Sequence, residues 1–177
     1  GVESEGVLAG GGHLENTGRL YDVVVLSRAD YAEKNIDAVL KYCPQAYVLF
    51  DTVDLHFLRE SRAAALSGDT ALQEAADMRK LQELGIARKA HLTLVVSPVE
   101  VELFRQEAPD VKVALISNIH AVAGCKADYA AREHILFIGS FDHPPNIDAM
   151  HFFIDEIFPL LHARNPVLKV LIVGVNA

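Results

Sequence analysis

The chain has 177 residues, of which 51% are hydrophobic and 23% charged, enough for one domain or for one domain and part of another. Its formal net charge of -8 argues against a nucleic-acid-binding surface, which needs a basic face. No apolar stretch approaches the roughly 20 residues of a membrane span. Cys43 and Cys125 lack metal-ligand spacing, which favours free thiols in a reducing cytoplasm.

Short apolar runs alternate with helical patterns along the chain. Residues 21–28 and 46–51 are each predicted to form a buried strand, because their apolar residues are contiguous. Residues 30–42, between them, have apolar residues at helical spacing. The further predicted elements, in chain order, are helices at 54–68 and 69–90, a strand at 91–97, a helix at 98–108, strands at 111–117 and 134–140, a helix at 145–164 and a strand at 167–174.

This order of elements predicts an α/β fold with a Rossmann-like parallel sheet that helices cover on both faces. Residues 1–120 are predicted to form one such domain, with incomplete N-terminal strands, and residues 121–134 an interdomain linker. Residues 135–177 then form the first βαβ unit of a second Rossmann-like domain. Because a unit of about 40 residues buries too little surface to fold alone, we expect this second domain to be truncated.

Polar residues at the ends of the predicted strands are the candidate site, since ligands of parallel sheets bind beyond the carboxyl ends of the strands. The segment from Gly139 to Asn146 (GSFDHPPN) leads from the fifth strand into a helix. Gly139 permits a close approach of ligand to backbone, and a helix N-terminus attracts an anion such as a diphosphate. An ordinary βα turn explains the same spacing equally well, so both interpretations stay open.

A second cluster, Asp51, Asp54 and His56, lies where the second strand passes into a helix. A carboxylate beside an imidazole suits acid–base catalysis or the orientation of a sugar hydroxyl, and a metal site is a less specific alternative. On the residues alone, capping of the following helix by Asp51 or Asp54 is favoured. Ser97 and Asp69 are likewise expected to be N-caps, Ser97 before a helix that begins at Pro98 and Asp69 after the break at Gly68.

Five segments together resemble the family-4 (group 1) retaining glycosyltransferases of the GT-B fold, and in particular bacterial enzymes that build surface polysaccharides. The segments are VVVLSR, YVLFDTVDLHFLRE, LTLVVSPVEVELF, LISNIH and ILFIGSFDHPPNIDAMHFFIDEIFPLLHARNPVLKVLIVG. The resemblance covers nearly everything from about residue 20 onward.

The resemblance implies two Rossmann-like domains that face a cleft, the first binding acceptor and the second the nucleotide-sugar donor. It also implies the site residues: catalytic His56 and Asp54, donor-binding Gly139, Ser140, Asp142 and His143, and cleft residues Arg28, Asp51 and Asn118. The resemblance also implies that no metal is required, since members of the family generally need none for the chemistry, and the nucleotide-sugar is a substrate rather than a cofactor.

The family's donor-binding Arg/Lys pair and its Glu-x7-Glu motif would lie beyond Ala177, and its first strands are only hinted at in residues 2–12. The expectation is therefore an internal fragment of a glycosyltransferase that is inactive by itself. Two alternatives stay open. One is a GT-B sugar-nucleotide epimerase; the other is a non-catalytic Rossmann-like module that binds a ligand or, like a receiver domain, carries a phosphorylatable Asp51.

The expected partners are a nucleotide-sugar and a saccharide or lipid-linked acceptor, and no nucleic acid. An unpaired sheet edge and an apolar patch predict self-association of the fragment. We expect a cytoplasmic protein, and peripheral contact of the full-length protein with the inner face of the membrane is left open. The donor sugar, the nucleotide and the acceptor are not predicted.

Overall fold

The computed structural model describes residues 12–125 and 128–176. The chain divides into two compact units, residues 1–120 and residues 121–177, called here the N-unit and the C-unit. The predicted linker, residues 121–134, lies in the C-unit. The N-terminal hint of a strand in residues 2–12 lies, except for Gly12, outside the described residues.

The described elements follow the predicted order. In the N-unit they are α1 (Gly12–Thr17), a 3₁₀ turn (Gly18–Leu20), β1 (Val23–Ser27), α2 (Ala29–Tyr42), β2 (Tyr47–Asp51), α3 (His56–Ser67), α4 (Thr70–Lys89), β3 (Leu92–Val95), α5 (Pro98–Glu107) and β4 (Val113–Leu115). In the C-unit they are a 3₁₀ turn (Tyr129–Ala131), β5 (Ile135–Ile138), α6 (Pro144–Phe152), a π-helical segment (Phe153–Ile157), α7 (Phe158–Arg164) and β6 (Val170–Val173). None of the helices in the described parts of the chain is both long and apolar enough to cross a membrane.

The strands form two separate parallel sheets, one in each unit. The N-unit sheet has the order β1-β2-β3-β4, and β5 pairs with β6 in the C-unit. In the register of the first pair, Ser27 lies beside Asp51, so the ends of β1 and β2 are level. The prediction of an α/β, Rossmann-like fold with parallel sheets is confirmed.

One face of the N-unit sheet is buried and the other is largely exposed. Val48 and Phe50 of β2 are fully buried, whereas Val23 and Val25 of β1 are each 55% exposed. A strand order that runs in one direction places right-handed crossover helices on a single face, which accounts for the difference. The prediction that residues 21–28 form a buried strand, with helices on both faces of the sheet, is therefore wrong for the described residues.

The core of the N-unit lies between the covered sheet face and the helices. Phe50 of β2, Ile36 of α2 and Phe104 of α5 belong to one cluster of buried side chains, which also includes residues from α3, α4 and β3. A second cluster surrounds Val48 and Cys43 at the other end of the strands. This packing fixes the strand ends from which the candidate site extends.

Two helix starts in the N-unit have the predicted local caps. Asp69 Oδ1 accepts the N–H groups of Ala71 and Leu72 at the start of α4. Ser97 Oγ accepts the N–H of Glu100, and the Glu100 carboxylate accepts the N–H of Ser97 in return, which completes a capping box. Both predicted N-caps are confirmed.

The C-unit is lightly packed. Met150 is its only buried side chain among the described residues, and an apolar cavity of about 310 Å³ lies between β5 and the helical segment opposite. The predicted continuous helix at 145–164 is interrupted by the π-helical segment. Pro159 follows that segment closely and has no N–H to donate to the preceding turn, which explains the altered hydrogen bonding.

Candidate functional site

The carboxyl ends of β1 and β2 are joined through Asp51. Its carboxylate accepts the hydroxyl of Ser27 at 3.0 Å and the N–H of Val53 at 3.2 Å. Its carbonyl accepts the N–H of Arg28 at 2.9 Å. Asp51 therefore lies at the predicted edge of the sheet, where its oxygens hold the two strand ends and the following turn together.

Backbone strain is concentrated on either side of these contacts. Arg28 has φ 68° and Val53 has φ 65°, both in the region that L-residues rarely adopt. For the β-branched Val53 this conformation is an outlier that the surroundings must impose. Such residues cluster at functional sites, so the strain marks a candidate site at the start of the β2–α3 loop. This loop is defined here as residues 52–57 and includes the first two residues of α3.

Asp54 and His56, the predicted catalytic residues, are in contact in this loop. His56 Nε2 lies 3.2 Å from Asp54 Oδ1, and Asp54 Oδ2 accepts a hydrogen bond of 2.8 Å from the guanidinium of Arg59. The His56 side chain is 14% exposed and that of Asp54 43%. A carboxylate that contacts one ring nitrogen orients the imidazole and leaves Nδ1 as the atom that would exchange a proton with a substrate.

A buried glutamate from α5 holds the middle of the loop. Glu100 Oε1 accepts the N–H of Leu55 at 3.2 Å, while its Oε2 accepts the N–H groups of Val96 and Ser97 at 2.9 and 3.0 Å. The same carboxylate thus caps its own helix and fixes a residue 45 positions earlier in the chain. Thr52 adds a further hydrogen bond between the loop and β3, since its hydroxyl donates to the carbonyl of Leu94 at 3.0 Å.

A second buried glutamate, from α4, holds the end of the loop. Glu83 Oε1 accepts the N–H of His56 at 3.1 Å, and its Oε2 accepts the N–H of Phe57 at 3.2 Å. Burial raises the pKa of Glu83 to about 7, although the two N–H groups and the nearby Arg79 act in the opposite direction. The Glu83 carboxylate therefore changes its charge near neutral pH.

These contacts correct the prediction that Asp51 or Asp54 caps the helix. The N-cap position of α3 is Leu55, whose side chain makes no capping bond, and the carboxylate that takes the free N–H groups comes from Glu83 on another helix. The roles of Glu83 and Glu100 were not predicted from the sequence. For Glu100 a local sequence pattern was available, since it follows Ser97 at capping-box spacing. For Glu83 the pattern is weaker: it shares a helical face with the buried Ala76 and Ala87.

An ion-pair network lies beside Glu83. Arg79 of α4 pairs with Asp30 of α2 and, at 3.8 Å, with Glu60 of α3. The hydrogen bond from Arg79 lowers the pKa of Asp30 below its usual value. Arg79 therefore links three helices around the buried carboxylate.

The remaining cleft residue, Asn118, is exposed beyond the end of β4. Its neighbour Ser117 donates its hydroxyl to the carbonyl of Val96 at 3.1 Å. No hydrogen bond joins Asn118 or the Arg28 side chain to the Asp54–His56 pair within the described residues. These two predicted residues lie at the same edge of the sheet as the pair and make no hydrogen bond to it in the part of the chain that the structure describes.

The predicted donor-binding residues form a tight turn in the C-unit. The Ser140 hydroxyl lies 3.4 Å from Asp142 Oδ2 and accepts the N–H of Asp142 at 3.2 Å. Asn146 donates its amide to the carbonyl of Ser140 at 2.8 Å, and Asn176 donates to Asp142 Oδ1 at 2.8 Å. His143 is exposed and occupies the N-cap position of α6. The turn is thus stabilised by its own side chains.

Two glycines let β5 and β6 approach each other at this turn. A Cβ atom on Gly174 would lie 1.7 Å from the carbonyl oxygen of Gly139. A Cβ atom on Gly139 would lie 2.8 Å from Nδ2 of Asn146. Glycine is required at position 174 because backbone atoms of Gly139 occupy the space of a Cβ, whereas at position 139 the side-chain ends of Asn146 and Phe137 would have to shift.

The start of α6 offers few N–H donors to an anion. Pro144 and Pro145 lie in its first turn and carry no N–H, and Asn146 donates its N–H to the carbonyl of His143 at 2.9 Å. The positive end of the helix remains, but the carboxylate of Asp142 lies in the same turn. The isolated turn is therefore a weak anion site.

No cluster of three or more His, Cys, Asp or Glu side chains suited to a metal ion occurs in the part of the chain that the structure describes. No protein-family model matches the chain, and no curated protein matches it. The resemblance to glycosyltransferases therefore stays a prediction from the quoted segments.

Proposed function

We propose that this chain contributes to a retaining glycosyltransferase, which moves a sugar from a nucleotide-sugar to a saccharide or lipid-linked acceptor. The N-unit supplies the acceptor-side residues and the C-unit the first donor loop. The reaction type comes from the resemblance of the quoted segments. The choice of reactive groups is supported by the contact between Asp54 and His56 in the N-unit.

The observation that carries the proposal is the Asp54–His56 pair at the carboxyl end of β2, with 3.2 Å between Oδ1 and Nε2. This is the edge of a parallel sheet at which ligands bind. In the proposed reaction His56 orients or deprotonates the acceptor hydroxyl, and Asp54 holds the ring. Arg59 balances the charge of Asp54 at 2.8 Å.

In the C-unit, Gly139, Ser140, Asp142 and His143 are proposed to lie beside the donor diphosphate. Because Asp142 is negative and two prolines remove N–H donors, this turn by itself binds phosphate weakly. We therefore expect calorimetric titration of the chain with nucleoside diphosphates to show little or no heat of binding. Tight binding would contradict the weak phosphate affinity expected of this turn.

The decisive test of reaction class is a donor screen on the full-length protein, with products analysed by NMR. Transfer of the sugar to an acceptor with retention of the anomeric configuration is the expected result. Conversion of the nucleotide-sugar to its epimer, without transfer, would replace the proposal by the epimerase alternative. Absence of turnover with every donor, together with saturable ligand binding, would favour the non-catalytic module.

A further inference from the structure

The β2–α3 loop, residues 52–57, carries the reactive pair and is held by carboxylates from two other helices. Of these, Glu83 contacts the backbone of the reactive residue itself, since it accepts the N–H of His56 at 3.1 Å. It also accepts the N–H of Phe57 at 3.2 Å. Glu83 is 1% exposed, so water does not replace these bonds.

The loop has no local substitute for Glu83. The N-cap residue Leu55 has an apolar side chain, and Asp54 is turned toward His56 and Arg59. The first N–H groups of a helix need an acceptor, and a buried donor without a partner is costly. The position of the Glu83 carboxylate therefore determines where the backbone of His56 lies.

We propose that Glu83 is the positioning residue of the Asp54–His56 pair: its ionised carboxylate accepts both N–H groups and holds the β2–α3 loop in the conformation that brings the pair together, and its protonation weakens that hold. The proposal extends the function proposed above, since it names how the same site is regulated. The positioning itself does not depend on which reaction the pair performs.

The chemistry of the carboxyl group explains the switch. An ionised carboxylate has two acceptor oxygens for the two N–H donors, whereas a protonated carboxyl carries an O–H that is itself a donor. Protonation therefore weakens one of the two bonds. Since burial raises the pKa of Glu83 to about 7, this change falls near neutral pH.

The charged groups around Glu83 come from three helices. Arg79 on its own helix lowers its pKa, and Glu60 of α3 raises it. Asp30 of α2 pairs with Arg79, and His56 of α3 lies at the same helix start. Because His56 is also titratable, the test has to separate its protonation from that of Glu83.

The test is an NMR titration of the chain from pH 5.5 to 8.5, following the carboxyl carbon of Glu83 and the amide protons of His56 and Phe57. We expect all three to move with one common midpoint near pH 7, and the ring signals of His56 to change in the Glu83→Gln variant. The Glu83→Gln variant keeps the shape of the side chain but cannot titrate, so it should abolish the pH-dependent shift of both amide protons. The matched control is Glu74→Gln, an exposed glutamate on the same helix, which should leave both amide transitions unchanged.

A His56→Gln variant keeps the backbone N–H and removes the imidazole. The transition of the Phe57 amide should persist in it, because Glu83 is intact. Loss of that transition in His56→Gln, or its persistence in Glu83→Gln, would overturn the proposal. The NMR titration uses no sugar substrate, so it is independent of the donor screen. If the amides titrate as expected while no donor is turned over, the positioning role of Glu83 stands and the proposed reaction is rejected.

Discussion

The two units are built from the same kind of element and reach very different degrees of packing. The N-unit sheet has four strands and buries Phe50 completely, while the C-unit has two strands and a single buried side chain, Met150, within its described residues. Two strands and one helical segment enclose too little apolar surface to form a core. The comparison indicates that polar side chains are held in fixed positions where they pack against a well-formed core.

The polar groups show the same contrast. In the N-unit two buried carboxylates, Glu83 and Glu100, fix a loop of the sheet edge from other helices. In the C-unit the turn after β5 is held by exposed side chains of the turn itself and by Asn176. Interactions between buried groups are stronger and less screened than those between exposed ones.

A core substitution in the N-unit should lower stability most, and a comparable substitution in the C-unit should have a much smaller effect. Phe50→Ala should lower the free energy of unfolding of the N-unit by about 3–5 kcal/mol, because it leaves a cavity in a close-packed core. Phe137→Ala, at a half-buried residue of the C-unit, should cost much less. Urea denaturation of both variants checks this, and equal losses would abolish the contrast between the units.

A steric clash introduced into the C-unit should destabilise that unit alone. Gly174→Ala places a Cβ atom against the carbonyl oxygen of Gly139 and should destabilise the β5–β6 pair by about 3 kcal/mol. Hydrogen exchange should rise in the C-unit alone. The matched control is Gly85→Ala in α4, where the added Cβ meets no atom within 4 Å; it should stabilise the helix by about 0.5–1 kcal/mol.

The raised pKa of Glu83 predicts that the stability of the N-unit depends on pH. Its pKa is raised in the folded state from 4.5 to about 7, so the folded protein binds more protons than the unfolded one between these values. Stability therefore falls as pH rises through this window, by about 2 kcal/mol after allowance for solvent screening. Urea denaturation at pH 5 and pH 8 should show this difference in the wild type relative to Glu83→Gln. A difference of the opposite sign would mean that the two N–H bonds outweigh burial.

The loss of a cap within one helix should lower stability less than the change of charge at Glu83, which caps α3 from α4. Asp69→Ala removes the acceptor of two N–H groups at the start of α4 and should cost about 1 kcal/mol. Asp77→Ala changes an exposed aspartate in the middle of the same helix and serves as the control. Thermal unfolding of the two variants distinguishes them, and similar losses would show that the cap contributes nothing specific.

The weakest expected effect is self-association. The uncovered sheet face of the N-unit exposes Val23 and Val25, and β1 is an edge strand, which together favour pairing between copies. Light scattering after size-exclusion chromatography should give a mass that increases with concentration. A constant monomer mass at high concentration would count against it.

The sequence predicted the features whose causes are local. The order of strands and helices along the chain, the N-caps Asp69 and Ser97 and the turn after Ile138 all follow from residues a few positions apart. Glu83 was missed because its partners lie 26 and 27 positions earlier, and only the fold brings them together. The exposure of β1 was missed for a similar reason, since apolar residues alone do not reveal on which face the helices lie.

We propose that His56, held by Asp54 and Glu83, is the reactive residue of a sugar transferase. It is tested most directly by the kcat of His56→Ala in the full-length protein, at saturating donor and acceptor. The account predicts a loss of about 100-fold or more with an unchanged unfolding transition. A folded His56→Ala variant that transfers sugar at the wild-type rate would contradict it.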